Sequence, residues 1–65
     1  MNYTTEELKE AKRQIDSLLH KLRETIKTLE SKEYPNRYKS QITLAKRRVE
    51  ALEIADDLIA RELSE

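Results

Sequence analysis

The chain has no glycine, cysteine, tryptophan or phenylalanine, and only one proline, Pro35, among its 65 residues. Without glycine the backbone has little freedom to make left-handed turns or to close around a bound group. Without cysteine there is neither a disulfide framework nor a thiolate metal site. The single histidine, His20, cannot build an imidazole site, and with Ser17 and Glu24 as its helical neighbours it is expected to face solvent. No apolar run exceeds three residues, against the roughly 20 that a membrane span requires. Net charge is missing too: thirteen basic and thirteen acidic residues cancel, which removes any overall steering toward nucleic acid or an anionic membrane. No signal-peptide pattern opens the sequence, since Glu6, Glu7 and Lys9 interrupt its start, and a cytoplasmic protein is expected. With no nucleophile elbow, phosphate-cradling loop or metal cluster, neither catalysis nor a cofactor is expected.

What remains is amphipathic periodicity on either side of Pro35. It predicts an all-α fold: an antiparallel hairpin of two helices, over about 5–33 and about 37–63, joined by a turn at about 34–36. Thr4 as N-cap with Glu7 three residues on forms a capping box, flanked by Tyr3 and Leu8 as a hydrophobic staple, so the first helix should begin at Thr5. Pro35 biases Tyr34 away from helical dihedrals and supplies the stop. Tyr34 and Tyr38 are expected to plug that end of the core.

In the first helix Leu8, Ala11, Ile15, Leu18, Leu22, Ile26 and Leu29 form a narrow seam, with Leu19 as an alternate. The two four-residue steps from Leu18 to Ile26 predict a local relaxation of supercoiling. In the second helix Tyr38, Ile42, Ala45, Val49, Leu52, Ile59 and Leu63 alternate by four and three, with Asp56 filling one slot. Antiparallel pairing sets Asp56 beside Lys12, read as flanking the first seam; such a polar pair fixes register.

A second stripe, Leu44, Ala51, Ala55 and Leu58, lies about 110° around the second helix. Thus the first helix needs one partner and the second needs two. A core this small rarely supplies more than about 3–5 kcal/mol on its own. A homodimer or higher homo-oligomer, at minimum a four-helix bundle, is expected. Leu44 and Leu58 lie seven residues to either side of Ala51. Two copies packed antiparallel therefore set Leu44 against Leu58, with Ala51 facing its own mate on the two-fold axis. The same register puts Arg37 beside Glu65 and Gln41 beside Glu62.

Charge is segregated in the matching sense. Residues 18–48 carry nine basic and three acidic groups, whereas residues 49–65 sum to −5. The turn end is positive and the open end negative, against the dipole preference of the second helix. An oppositely oriented copy would compensate. Lys46, Arg47 and Arg48, with Arg37 nearby, are a candidate anion site, and the alternative is a solvated face paired with acids. Nucleic acid is disfavoured by the zero net charge.

Tyr3 ahead of the first helix, Arg37-Tyr38 opening the second, and the Val49-Glu50 and Ala60-Arg61 steps resemble the hairpin domain of phage-encoded sponges that sequester cyclic-nucleotide immune signals. That resemblance implies an oligomer that forms the pocket, with an aromatic and basic side chains holding a small anionic ligand. The sequence thus predicts a non-catalytic, self-associating hairpin that binds another macromolecule as a regulator or inhibitor of phage or mobile-element type. The alternative is an oligomeric sponge for a small anion such as a cyclic nucleotide.

Overall fold

A computed structural model describes residues 2–32 and 35–65. Helix α1 spans Thr5–Glu30 and α2 spans Lys39–Ser64, each 26 residues, with a short 3-10 helix at Pro35–Tyr38 between them. The two helices pack along their length into an antiparallel hairpin 46 Å long and 15 Å across.

The start of α1 follows the capping chemistry. Thr4 Oγ1 accepts from the Glu7 backbone N–H, and Glu7 Oε1 accepts from that of Thr4, both at 3.0 Å. Both bonds satisfy donors that a helix start otherwise leaves orphaned. The end of α1 comes at Glu30 rather than residue 33. Ser31 donates its hydroxyl to the Thr28 carbonyl at 2.8 Å, and the Lys32 N–H turns to the Leu29 carbonyl at 3.3 Å. The chain therefore tightens into a last 3-10 step before the proline acts, because side-chain and i−3 bonds already satisfy the terminal carbonyls.

At the other end of the turn the α-helix begins at Lys39, later than position 37, because Pro35–Tyr38 adopt the tighter helix first. Proline has no N–H to contribute, so the first turn of a helical segment tolerates it. Tyr38 is half-buried; the expected plug by Tyr34 lies outside the described residues.

The core is thin. Leu19, Ala45 and Val49 are the buried apolar residues, at 4%, 6% and 9% exposure, and no side chain among the described residues is fully enclosed. Leu19, not Leu18, enters the seam: Leu18 stays 48% exposed. With Leu19 and half-buried Lys12 in their slots, the α1 seam steps by four and three without interruption from Leu8 to Leu29. The expected relaxation of supercoiling at Leu18 loses its basis, since the heptad is unbroken. Lys12 is a member of the seam rather than a flanking residue.

Candidate functional site: two unlike flanks of a hairpin

The seam defines two flanks. In an antiparallel pair, residues just after the Leu22 and Leu29 positions of α1 face those just after Ala45 and Leu52 of α2. Arg23 meets Glu53 at 3.2 Å, and Lys46 meets Glu30 at 3.3 Å. This flank is charged and bridged by ion pairs. A shallow groove of about 440 Å³ runs along it, lined by Asp16, Leu19, Arg23, Glu53, Asp56, Asp57 and Ala60.

The opposite flank holds more of the apolar residues, with Gln41, Arg48 and Glu62 in the same row as Ala55. From α1 it carries Ala11 and Leu18; from α2 it carries Ala55 and, one row further out, Leu44, Ala51 and Leu58. Leu44 is 48% and Leu58 56% exposed. Ala51 is exposed and Ala55 half-buried. At the open end the same flank holds a mostly apolar hollow of about 310 Å³ between Tyr3, Glu7, Leu8, Ala11 and Ile59. An apolar strip rimmed by charge is the surface type that marks association sites. The second stripe thus lies where the periodicity places it. Leu18 on α1 borders the same flank.

Polar chemistry enters the seam at one level. Lys12 Nζ lies 3.4 Å from Asp56 Oδ1 and 3.2 Å from Asp16 Oδ2. Asp56 is 20% exposed, so an ammonium at the edge of the core meets part of the charge that packing takes from water. The Asp16 carboxyl, beside Asp56 and accepting from Lys12 Nζ at 3.2 Å, is held below its ordinary value. Lys12 is pushed up, chiefly by its hydrogen bond to Asp16. Pairing of Lys12 with Asp56 is as the antiparallel register requires; Asp16 is an addition. Its signal in the sequence is the i, i+4 spacing from Lys12 on a helix face.

The basic residues singled out for anion binding do not converge as a set. Lys46, Arg47 and Arg48 are consecutive on α2, so their side chains leave the helix about 100° apart. Lys46 is held by Glu30 on the charged flank, and Arg48 leaves on the side of Ala55. Arg47 instead shares a hollow of about 340 Å³ with Lys39, Ser40, Thr43 and Leu44. Arg37 is exposed in the 3-10 turn, and Glu62 and Glu65 are exposed at the far end of α2. His20 is exposed as well.

Among the described residues, no cluster of three His, Cys, Asp or Glu side chains has metal-holding geometry. No described helix is long and apolar enough to cross a membrane. No family model, curated protein or solved structure matches the chain.

Proposed function

We propose that this chain is a non-catalytic helical hairpin that self-associates and works as a binding or regulatory module. The observation that supports this reading is the exposed apolar strip, above all Leu44 and Leu58 at 48% and 56% exposure on either side of Ala51. A hairpin with three buried apolar residues among those described gains more than most from a partner that covers such a strip. Its capped first helix, the Lys12–Asp56 polar pair and its surface ion pairs are features that suit assembly. Its role as a regulator or inhibitor of phage or mobile-element type is proposed from its small size and composition.

Two copies related by a two-fold axis through Ala51 would bury the strip and bring the basic turn half of each α2 against the acidic half of the other. Sedimentation velocity tests this directly. The wild type is expected to sediment as a dimer or larger species at micromolar concentration, and Ala51→Glu as a monomer, because it places a carboxylate at the centre of the contact. A wild type that stays at 7.7 kDa overturns the reading.

A second reading, an oligomeric sponge for a small anion, is favoured by one feature. Lys39 and Arg47 line a hollow together with the hydroxyl-bearing residues Ser40 and Thr43. Two cations with two hydroxyl donors suit a phosphate group. Melting curves against a panel of cyclic nucleotides test it: ligand at 100 times Kd raises stability by about 2.7 kcal/mol. Flat melting temperatures across the panel, with an intact oligomer, leave only the first reading.

A further inference from the structure

We infer that α1 takes part in the contact between two copies, through Leu18 set against Leu18 of the other hairpin beside the Ala51 contact. This rests on the self-association proposed above and extends it to a helix that the α2 stripe alone leaves out.

Three observations carry it. Leu18 is 48% exposed although it adjoins the most buried residue of the core, Leu19 at 4%. Its flank is the one opposite the Arg23–Glu53 and Lys46–Glu30 bridges, and therefore the flank of Ala55, Ala51, Leu44 and Leu58. Its height is the third. Lys12 stands opposite Asp56, so six residues further along α1, at Leu18, the facing level of α2 is Glu50, next to Ala51. Leu18 consequently lies at the height of the proposed two-fold axis. Every residue at that height in one copy meets the same height in the other.

Shape and charge select a second copy as the occupant. At the axis α2 offers a methyl group, and α1 offers an isobutyl group one helix away on the same flank. Turned face to face about that axis, Ala51 meets Ala51 and Leu18 meets Leu18, as an isologous contact requires. Away from the axis, residues 18–48 sum to +6 and residues 49–65 to −5. Only the antiparallel orientation sets these unlike halves together. An amphipathic helix from another protein has no reason to match both the central height and the charge reversal about it.

The absence of native cysteine gives a direct test. Leu18→Cys is made as a single variant and oxidised, with Glu24→Cys, on the far side of α1, as the control. In parallel, sedimentation equilibrium compares wild type, Leu18→Ala and Ala51→Glu, with helicity followed by circular dichroism. We expect a disulfide-linked dimer from Leu18→Cys alone, and a dimer dissociation constant about tenfold or more weaker for Leu18→Ala, with its helicity retained. A wild-type dimer lost in Ala51→Glu but changed less than twofold in Leu18→Ala, without the Leu18→Cys disulfide, overturns the role of Leu18 and leaves the α2 reading standing. A monomeric wild type overturns both.

Discussion

Lys12 and Asp56, 44 positions apart in the chain, meet at 3.4 Å across the seam, and the same ammonium reaches Asp16 at 3.2 Å. One cation therefore serves two carboxylates at a level where the seam is otherwise apolar. Such a group trades stability for specificity of register. The two ends of the pair should respond differently. Asp56→Leu leaves Lys12 with Asp16 and fills a seam slot with hydrocarbon, so the melting temperature should rise by roughly 4–8 °C, while uniqueness of register declines. Lys12→Leu removes the one ammonium that bonds both carboxylates and should lower it at neutral pH, with recovery in acid. Melting of both variants at two pH values checks this; a clear loss of stability in Asp56→Leu would show that the carboxylate does more than set register.

The pH response has a definite sign. The Asp16 carboxyl is held low beside Asp56 and Lys12; Glu7 is held low by the Thr4 N–H and hydroxyl, and Glu10 by Gln14 and Arg13. Folded values below the unfolded ones mean that these contributions are present above the usual carboxylate range, near pH 4, and are lost as pH falls through it. Lys12, raised by Asp16 and Asp56, contributes below about pH 10.4 and loses that contribution as pH climbs through its folded value. Thermal stability should form a plateau between about pH 5 and 10 and fall at both ends. Asp16→Asn should shallow the acid limb; an unchanged limb would remove Asp16 from the account.

The capping box was legible because it is local: Thr4 and Glu7 need only each other and the backbone between them. Thr4→Ala should cost about 1 kcal/mol, read from urea melts with unchanged slope.

The choice between Leu18 and Leu19 was not settled by apolar counting, since both are leucine and each fits a three- or four-residue step. It is decided when Lys12 is admitted to the seam, and a lysine is easily passed over in an apolar pattern. Its aliphatic stem packs while its head reaches Asp56, which is why the position accepts it. The end of α1 was missed for a related reason: Ser31 and Lys32 close the helix with bonds that leave no mark in hydrophobic periodicity. The two leucines now separate by experiment. In an Ala51→Glu background, which holds hairpins apart, Leu19→Ala should cost about 2–3 kcal/mol and Leu18→Ala no more than about 0.5. Equal costs would place both in the hairpin core.

The proposed dimer assigns different tasks to its apolar and charged parts, and salt separates them. Exposed ion pairs such as Arg37 with Glu65 of the other copy are worth at most about 1 kcal/mol each, and the screening length falls from about 10 Å at 0.1 M salt to about 3 Å at 1 M. Burial of Leu44 and Leu58 is not screened, and sulfate strengthens it. Self-association should therefore weaken less than about tenfold between 0.1 and 1 M sodium chloride, and tighten in ammonium sulfate. Orientation should be more sensitive than affinity, because charges discriminate between alignments that bury similar apolar area. Glu62→Lys with Glu65→Lys sets like charges against Arg37 and its surroundings and should weaken the antiparallel dimer. Arg37→Glu with Gln41→Glu on the second copy should restore it in a mixture of the two. A dimer abolished by 1 M salt would assign its affinity to the charges and leave Leu44, Leu58 and Leu18 as bystanders.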